Sequence, residues 1–374
     1  MGATKSVLQQ FRSEKTDTLL RDCLTLTYNA VHYAEENAIT NRKGMKGYYR
    51  SLKGVELHSC CKVAVITRAC AVVESRRKSL KRGIEPSHRN PLRPVVCIIS
   101  GFFVTMKGRL FVPLQKKDEY ADVLLNRHAQ EEIAGKELRS LTITPDSLSL
   151  CYSEEVKEIP VRTVYGADRN ENLTFGNQER VIQIDMAETV RIRQTTREIV
   201  GSFKRNDVRV RKKLASKYWR RCYNRTNQTL HAATNFMVER AAESGAALAL
   251  EDITGIRKMF RKGNRQGNDF RFRLNSWPFS KAYKMMEYKS EWKGVTFIPL
   301  TKAETYGSSS ECASCGERLH EPEREDAEHW RMLWCQACKK WVDRDVNAVG
   351  NLSKRGLARF ASSLLLSQPA GSRS

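Results

Sequence analysis

Two short cysteine pairs near the carboxyl end constrain the fold of this chain more than any other feature. Two residues separate Cys312 from Cys315, and Cys335 and Cys338 repeat that spacing shortly afterwards. Each pair can supply two thiolates to one edge of a tetrahedron around a zinc ion. A redox-active pair is the alternative, but it does not explain a second pair at the same spacing. The sequence therefore predicts a zinc ribbon.

The predicted zinc is structural. Four cysteine ligands leave no coordination position for water, so the ion would hold the fold and the chemistry must come from elsewhere. The chain has eleven cysteines, and the other seven are scattered through helical and strand-like segments. This distribution is typical of a reducing compartment and not of a disulfide framework.

The loop between the two cysteine pairs is acidic in an otherwise basic chain. An acidic loop binds phosphate poorly, so we expect the ribbon tip to pack on, or regulate, the basic remainder. His320 and His329 lie in the same loop and are expected to be bystanders, because four cysteines already complete the zinc site. The acidic residues of the loop are Glu317, Glu321, Glu323, Glu325, Asp326 and Glu328.

The net charge favours a polyanionic partner. The 374 residues include 65 Lys and Arg against 42 Asp and Glu, which gives a formal net charge of +23. Such a charge favours DNA, RNA or an acidic membrane, with nucleic acid the leading interpretation. No segment approaches the ~20 apolar residues of a spanning helix, and the polar start lacks a signal-peptide core. We expect no membrane partner and a cytoplasmic protein, nucleoid-associated if the source is prokaryotic.

Helical periodicity marks the amino-terminal segment. Apolar residues at intervals of three and four predict one helix over Thr16–Asn37 and a second over Leu52–Leu80. The second helix ends in a basic run, Arg76, Arg77 and Lys78. Such a run is either a solvated helix end that suits the helix dipole or a phosphate contact.

Short runs of strand-forming residues replace this helical pattern beyond a proline-rich boundary near residue 90. Turn signals at Lys107-Gly108 and at Pro145-Asp146 separate some of these runs and predict two hairpins. The sequence predicts a small β-barrel or sandwich in this part of the chain.

Strands and helices alternate in the carboxy-terminal half and predict an α/β core. The three strands that begin this half are followed by one long helix, and a further strand, helix and strand come next. The predicted elements are Val161–Asp168, Asn172–Asn177, Val181–Asp185, Glu188–Ser244, Ala247–Asp252, Pro278–Lys293 and Val295–Leu300.

Two basic segments of this half suit nucleic acid. Trp219 and Tyr223 are interleaved with arginines and lysines, a mixture suited to phosphates and stacked bases. A position in the core is an equally good interpretation of these aromatic residues. The loop Gly255–Leu274 is basic, contains Phe260 and Phe270, and could guide a strand past Glu251. The candidate phosphate-binding residues of the first segment are Arg209, Lys212, Arg220, Arg221 and Arg225.

Three carboxylates stand at the ends of predicted strands or the start of a helix. These are Asp168, Glu251 and Asp345. Any one of them alone is most simply a helix cap or a solvated end. Together they match the hard oxygen ligands that hold two Mg²⁺ ions about 4 Å apart in metal-dependent phosphodiester hydrolysis.

At these residues the chain resembles the TnpB family of transposon-encoded nucleases, which is related to type V CRISPR effectors and to Fanzor proteins. The resemblance extends over most of residues 160–353 and follows the family's order of landmarks. The motifs that carry it are Gly166-Ala-Asp168-Arg-Asn170 before Asn172-Leu-Thr-Phe-Gly, Leu250-Glu251-Asp-Ile-Thr-Gly-Ile-Arg257, Asn275-Ser-Trp-Pro-Phe279 with Glu287-Tyr-Lys289, Ser308-Ser309 before Cys312-x-x-Cys315-Gly316, and Asp343-Arg-Asp345-Val-Asn-Ala348.

The resemblance implies a role for each of these acids. Asp168, Glu251 and Asp345 would be the catalytic residues and the magnesium ligands. Asp345 is preferred to Asp343 because the family's third acid is the second aspartate of this motif, and Asp343 would be a supporting residue.

The resemblance also implies a mixed, multidomain α/β and β fold. An RNase H-like RuvC nuclease domain would contain an inserted zinc ribbon and be joined to a helical recognition lobe and a wedge β-barrel. The implied domains are residues 1–14 for the first wedge strand, 15–90 for the recognition lobe, 91–160 for the wedge, 161–307 for the nuclease, 308–340 for the ribbon, and 341–374 for the end of the nuclease domain and a tail.

The implied activity is that of an RNA-guided DNA endonuclease of transposon origin that uses structural zinc and catalytic magnesium. Its partners would be a guide RNA and target double-stranded DNA, and the oligomeric state stays open. Two other hypotheses remain: a nuclease-inactive guided regulator that binds DNA, and an accessory DNA-binding protein in transposition. Cleavage that depends on Asp168 distinguishes the first of these, and bound RNA distinguishes the second.

Overall fold

The computed structural model describes residues 2–81, 83, 85, 92–116, 118–170, 172–203, 207–253, 256, 266–321 and 331–367, with the side chains of residues 2, 211, 212 and 364–367 left out. Internal contacts divide the chain into two compact units, Gly2–Glu155 and Val156–Ser374. Within the described residues, every helix is too short or too polar to cross a membrane.

The amino-terminal unit combines helices with two antiparallel sheets. The helix predicted over Thr16–Asn37 is confirmed as α1, and the second predicted helix begins later than expected, because the side chain of His58 caps α3. The elements are β1 (Gly2–Gln10), α1 (Glu14–Glu36), α2 (Lys46–Ser51), a 3₁₀ turn (Leu52–Gly54), α3 (Ser59–Leu80), β2 (Val96–Ile98), β3 (Phe103–Val104), β4 (Arg109–Pro113), β5 (Tyr120–Leu124), α4 (Arg127–Ile133), β6 (Glu137–Thr144) and β7 (Ser147–Glu155).

The two sheets of this unit do not close into one barrel in the described part of the chain. One sheet has the order β1-β7-β6-β2 and the other the order β3-β4-β5. Both predicted hairpins are confirmed, with Val104 opposite Leu110 and Thr144 opposite Ser147. The prediction of a closed wedge barrel was wrong, because turn signals fix local hairpins but leave open which hairpins pair with one another.

The carboxy-terminal unit contains a five-stranded sheet with helices on both faces. Its elements are β8 (Thr163–Arg169), β9 (Asn172–Gly176), β10 (Val181–Asp185), α5 (Ala187–Ser202), a π-helical turn (Val210–Leu214), α6 (Ala215–Glu243), β11 (Ala246–Glu251), α7 (Asn268–Ser276), α8 (Phe279–Lys293), β12 (Phe297–Leu300), α9 (Lys302–Thr305), β13 (Met332–Cys335), β14 (Lys340–Asp343) and α10 (Arg344–Ser367).

The central strands of this sheet are buried on both faces. The strand order is β10-β9-β8-β11-β12, with β11 parallel to β8 and β12 and the other pairs antiparallel. Tyr165 and Leu250 belong to the core on the face that also holds residues of α6 and α8. Val164 and Ala249 belong to the opposite core with Leu352 of α10. Alternating side chains and a continuous apolar run explain why β11 lies in the sheet centre.

Helix α10 packs very closely on β8. A Cβ added to Gly166 would lie 2.3 Å from the carbonyl oxygen of Val349 and 2.6 Å from the nitrogen of Ser353. A Cβ added to Gly356 would lie 2.4 Å from the Cβ of Ala249. These two glycines let the helix lie against the sheet and so fix the start of α10, where Asp345 is found.

The prediction of a single helix over Glu188–Ser244 was wrong in one respect. Helix α5 ends at Ser202, and α6 begins at Ala215 after a π-helical turn. Helical periodicity continues through this stretch because both helices are amphipathic, so the pattern alone did not reveal the break between them.

Candidate active site and metal centre

The register of two parallel strands carries Asp168 and Glu251 to the same edge of the sheet. Ala167 on β8 pairs with Leu250 on β11. Each of these residues is followed directly by an acid, Asp168 on β8 and Glu251 at the end of β11. Because parallel strands end on the same side, the two carboxylates lie beside one another at the carboxyl ends of the central strands.

The side-chain amide of Asn170 joins the first of these acids to Asp345. Its Nδ2 atom donates to Oδ2 of Asp168 at 2.9 Å and to Oδ1 of Asp345 at 3.0 Å. Asp345 lies in the first turn of α10 and is only 5% exposed. The fold therefore brings together two acids far apart in sequence. Sequence reasoning assigned no role to Asn170, although this polar residue lies two positions after Asp168 in a motif that carries the family resemblance.

The electrostatics of the site oppose full ionisation of the three acids. Burial is the main cause that raises the pKa of Asp168 to about 7, and the charges of Asp345 and Glu251 raise it further. Burial also raises the pKa values of Glu251 and Asp345. A bound divalent cation would reverse this effect by stabilising the carboxylates.

Arg169 supplies a buried positive charge behind the carboxylates. Its guanidinium donates to the backbone carbonyls of Phe279, at 3.1 Å, and of Glu251, and it lies 5.0 Å from the ring centre of Tyr283. Burial lowers the pKa of Arg169 to about 10, although the charges of Glu251 and Asp168 act in the opposite direction. The residue thus remains charged at neutral pH and ties β8 to the end of β11 and the start of α8.

Asp343 has a different position from its neighbour. Its Oδ1 atom accepts from the backbone nitrogen of Asp345 at 2.9 Å and from that of Val346 at 3.1 Å. These contacts are those of a helix-capping carboxylate at the start of α10. Asp343 therefore supports the helix, while the side chain of Asp345 faces Asn170.

A second residue that the sequence did not single out is Arg331. Its guanidinium forms an ion pair with the carboxylate of Asp345, and its backbone carbonyl accepts from the nitrogen of Arg344 at 2.9 Å. Arg331 directly precedes β13, so it belongs to the ribbon, between the two cysteine pairs. Its charge lowers the pKa of Asp345, although burial, the larger effect, raises it. No local pattern around Arg331 indicates this contact.

The four cysteines form a compact cluster. Their sulfur atoms all lie within 4.8 Å of one another. The Sγ atoms of Cys312 and Cys338 are 3.9 Å apart, and those of Cys315 and Cys335 are 3.5 Å apart. A tetrahedral zinc ion with Zn–S bonds of about 2.3 Å has S···S edges of about 3.8 Å, so these four residues could hold zinc. Among the described residues, no other group of three or more histidines, cysteines and acids is equally tight.

The backbone around the cluster favours thiolate at Cys312. Burial opposes its ionisation, but the backbone nitrogens of Cys315 and Ser314 outweigh this effect and lower its pKa to about 6. The second turn uses a left-handed residue, Lys339, directly after Cys338. The backbone N–H groups of Cys315 and Ser314, which face the sulfur of Cys312, are suited to a metal-bound thiolate.

The ribbon is attached directly to α10. The Nδ2 atom of Asn347 donates to the carbonyl of Glu311 at 2.6 Å, and its Oδ1 atom accepts from the nitrogen of Ala313 at 2.8 Å. Asn351, one turn later, donates to the carbonyls of Ser308 and Glu311 at 2.8 and 2.7 Å. The helix that carries Asp345 therefore also holds the first cysteine pair in place.

The ribbon loop is only partly described. His320 is exposed and lies outside the cysteine cluster, and Glu317 and Glu321 are exposed. His329 and four of the acidic residues, Glu323, Glu325, Asp326 and Glu328, lie outside the described residues, as does Phe260 of the predicted lid.

The basic residues of α3 differ in their solvent exposure and in their ion pairs. Arg76 is half-buried and pairs with Glu35 at 2.5 Å, and Lys78 pairs with Glu74 at 2.6 Å. Arg77 is exposed. Of the three candidates, Arg77 and Lys78 are therefore the more accessible to phosphate, and their role remains a prediction.

The second set of basic candidates lies at the start of α6 and just before it. Arg209, Arg220, Arg221 and Arg225 are exposed, and Arg225 lies 3.3 Å from Glu188. The side chain of Lys212 lies outside the described part of the chain.

The aromatic residues on the same helix are exposed as well. Trp219 is 42% exposed and Tyr223 is 58% exposed, so they are surface residues and not core residues. Lys281 lies 4.1 Å above the ring of Tyr223. Phe270, on α7, is also exposed. This surface combines positive charge with accessible rings.

Comparison with known proteins gives two sequence relatives. The chain is 29% identical over 223 residues to the TnpB-like protein MJ0751 of Methanocaldococcus jannaschii. The matched segment covers 57% of this chain and 76% of that protein. It is 29% identical over 132 residues to the CRISPR-associated endodeoxyribonuclease Cas12f2 of a Micrarchaeota archaeon, covering 34% of this chain and 23% of that protein. The second similarity thus concerns a minor part of a longer chain.

A family model and a solved structure agree with these relatives. The model described as the Cas12f1-like TNB domain matches residues 279–352, which include all four cysteines and Asp345. The cryo-EM structure of a Cas12f1–sgRNA–target DNA complex contains a chain with the same fold, at a TM-score of 0.58 and 11% identity, covering 91% of this chain and 82% of that one. The resemblance to the TnpB family that the sequence motifs carry is therefore confirmed by a TnpB-like relative, a Cas12f1-like domain model and a shared fold.

Proposed function

We propose that this protein is an RNA-guided DNA endonuclease whose nuclease site is formed by Asp168, Glu251 and Asp345. The observation that carries the proposal is the meeting of these acids: Asp168 and Glu251 lie at the ends of adjacent strands, and Asp345 is linked to Asp168 through Asn170. The raised pKa of Asp168 supports the proposal. A fold that holds acids together although this opposes their ionisation is typical of a cation site.

The topology of the carboxy-terminal unit supports an RNase H-like RuvC domain. The five strands have the order β10-β9-β8-β11-β12, in which three antiparallel strands are followed by parallel ones and both faces are covered by helices. In open α/β sheets, ligands bind at the carboxyl ends of the strands, where β8 and β11 carry their acids. We assign the ribbon as an insertion between β12 and α10 of this domain.

Magnesium is the cofactor that the acids suit. Carboxylate oxygens are hard ligands of the kind that Mg²⁺ prefers, and three carboxylates at one edge of a sheet suit metal-dependent phosphodiester hydrolysis. Asp168, Glu251 and Asp345 would hold the Mg²⁺ ions, which supply an activated water and stabilise the leaving oxygen. Zinc, in contrast, would be held by the four thiols and serve the fold.

Neighbouring side chains prepare the acids for this task. Asn170 holds Asp168 and Asp345 at a fixed separation, and Arg169 keeps the ends of β8 and β11 together. Arg331 pairs with Asp345 and its side chain is 32% exposed, so its guanidinium can also contact a phosphate of the substrate. These residues position the acids and balance their charge.

The proposed partners are a guide RNA and target double-stranded DNA. The Cas12f1 chain of the same fold is bound to both kinds of nucleic acid, and Cas12f2 is an endodeoxyribonuclease by name. The net charge of +23 and the exposed arginines and rings of α6 suit such partners. We assign residues 15–90 to the recognition lobe, and 1–14 with 91–160 to the wedge, in the form of two sheets.

The test is co-expression of the protein with its own flanking genomic sequence, followed by sequencing of bound RNA and a cleavage assay with Mg²⁺. We expect one discrete RNA and cleavage of matching DNA by the wild type but not by Asp168→Ala. Bound RNA without cleavage by the wild type would indicate a guided regulator. Binding to DNA without any RNA would indicate an accessory factor and would exclude a guided enzyme.

A further inference from the structure

A cysteine and a histidine are in direct contact at the start of α3, in the amino-terminal unit. The Sγ atom of Cys60 lies 2.9 Å from Nδ1 of His58. His58 is the N-cap of the 22-residue helix α3, and Cys60 is the second residue of that helix. We propose that Cys60 is a reactive thiolate, held by His58, and a site of oxidation by hydrogen peroxide.

Three features of the surroundings favour thiolate at Cys60. The helix amino terminus attracts negative charge. Nδ1 of His58 accepts from the backbone nitrogen of Cys60 when the imidazole is neutral, and it donates to the sulfur instead once it has taken up the thiol proton. Cys61 provides a second thiol, whose Sγ is 3.9 Å from that of Cys60. The hydrogen bond from Cys61 and the charge of His58 lower the pKa of Cys60 to about 7, against the opposing effect of burial.

The two neighbouring cysteines differ from Cys60. Cys61 is fully buried, and its hydrogen bonds with Cys23 and Cys60 and its burial raise its pKa far above the usual range for a thiol. It therefore stays protonated and can donate its single S–H to the thiolate of Cys60. Cys60 is 8% exposed and His58 is partly exposed, so a reagent as small as peroxide can reach the pair. The ring of Tyr120 also lies near His58, with 6.3 Å between the two ring centres.

The proposed step is a two-electron oxidation. The thiolate sulfur of Cys60 attacks one peroxide oxygen, an S–O bond forms, and the O–O bond breaks. The leaving hydroxide takes the proton held by His58 and departs as water, so that peroxide is reduced and the sulfur becomes a sulfenic acid. The imidazole is returned to its neutral form.

The added oxygen has little room. Gly101 has a φ of +83° and covers the pair, and a Cβ at this position would lie 3.2 Å from Sγ of Cys60 and 3.1 Å from Cε1 of His58. An oxygen on the sulfur would therefore press on this loop and on the first turn of α3. Oxidation is expected to lower the melting temperature of the amino-terminal unit, which makes Cys60 a redox-sensitive position of the fold.

The matched control for the pair is His58→Asn. Asparagine is a preferred N-cap and keeps an acceptor for the backbone nitrogen of Cys60, but it removes the imidazole. Cys97 is exposed on β2 of the same unit and serves as an internal comparison. Cys60→Ser removes the reactive atom, and circular dichroism verifies that each variant is folded.

The experiment treats the folded full-length protein with hydrogen peroxide at pH 5.5 to 9.5, then unfolds it in dimedone and measures the labelling of each cysteine by peptide mass spectrometry. We expect dimedone at Cys60 in preference to Cys97, and a midpoint of the Cys60 oxidation rate near pH 7. In His58→Asn the midpoint should move toward about 8.5, the value of a free thiol. The rate at pH 7 should fall about threefold, because the roughly fifteenfold loss of thiolate is partly offset by its greater nucleophilicity.

Two results would overturn the inference. One is a Cys60 that reacts no faster than Cys97 with peroxide. The other is a pH profile that is the same in the wild type and in His58→Asn. If His58→Asn does not fold, the wild-type midpoint alone decides, because a value near 8.5 would contradict a stabilised thiolate.

Discussion

The guanidinium of Arg331 is paired with the carboxylate of Asp345, so the ribbon contacts the candidate nuclease site directly. The contact is between side chains that differ greatly in burial, since the Asp345 side chain is 7% exposed and that of Arg331 is 32% exposed. A partly exposed cation on a buried acid can act on the acid and on a substrate phosphate at once. The ribbon therefore contributes a side chain, that of Arg331, to the candidate nuclease site.

Replacement of Arg331 by Ala should slow cleavage by about 10- to 100-fold, the usual effect of losing a partner of a metal ligand. Loss of the positive charge also raises the pKa of Asp345 further, so the defect should be larger at low pH and low Mg²⁺. Arg331→Lys keeps the charge and should recover part of the rate. Cleavage rates measured against pH and Mg²⁺ decide the matter, and unchanged rates in Arg331→Ala would show that the contact is incidental.

Asp168 should make the metal-free protein less stable as the pH rises. Its folded pKa of about 7 lies above the unfolded value of about 3.9, so the folded state binds more protons between about pH 4 and 7. Stability therefore falls as pH rises through this window and stays low above it. Asp168→Asn cannot ionise, and in EDTA at pH 8 it should melt at least about 2 °C higher than the wild type, as expected for ~1 kcal/mol.

The same thermal unfolding experiments include two controls, low pH and added Mg²⁺. Below about pH 4 the wild type and Asp168→Asn should approach the same melting temperature, because the wild-type acid is then protonated in both the folded and the unfolded state. Addition of Mg²⁺ at pH 8 should stabilise the wild type and not the variant. Equal melting temperatures at pH 8 would mean that the Asp168 environment does not oppose its ionisation.

Removal of zinc should disorder the ribbon and disable the nuclease site. Cys335→Ser should reduce bound zinc from one ion per chain to nearly none, because three thiols bind zinc much less tightly. Cleavage should fall by at least about tenfold, since Arg331 then loses its position beside Asp345. Metal analysis and cleavage assays are the measurements. Cys97→Ser, an exposed cysteine of the other unit, should leave both values unchanged.

The close packing of α10 on β8 predicts a severe effect at one glycine. Gly166→Ala places a Cβ 2.3 Å from a backbone oxygen of α10, where no flexible side chain can move aside. The free energy of unfolding should fall by about 3 kcal/mol, the upper part of the usual range for overpacking. Gly54→Ala is the matched control, because its Cβ would meet no atom within 4 Å. Chemical denaturation measures both, and equal effects would contradict the close contact.

The sequence predicted most of the elements that position the site. The cysteine spacing required the four thiols to meet, since each pair lies on a tight turn and chelation needs both. Asp168 and Glu251 were recognisable because each ends a strand-like run, and parallel strands end at one edge. Resemblance to known motifs added the preference for Asp345 over Asp343, and both that preference and the catalytic roles remain predictions.

The remaining features depend on contacts between distant parts of the chain. Asn170 and Arg331 meet Asp345 only after β8, the ribbon and α10 have packed, and no local pattern encodes that packing. The β-sheets of the amino-terminal unit failed to form the expected barrel for a similar reason, because strand pairing is a long-range property. The break between α5 and α6 was hidden by an amphipathic pattern that both helices share.

The measurement that tests the central claim most directly is Mg²⁺-dependent cleavage of guide-matched DNA by the RNA-loaded wild type, Asp345→Asn and Asp343→Asn. Asparagine preserves the helix cap at position 343 but removes a cation ligand at position 345. The account predicts that Asp345→Asn lowers the rate at least about 10³-fold, while Asp343→Asn stays within about threefold of the wild type. Cleavage that survives in Asp345→Asn would contradict the proposed nuclease site.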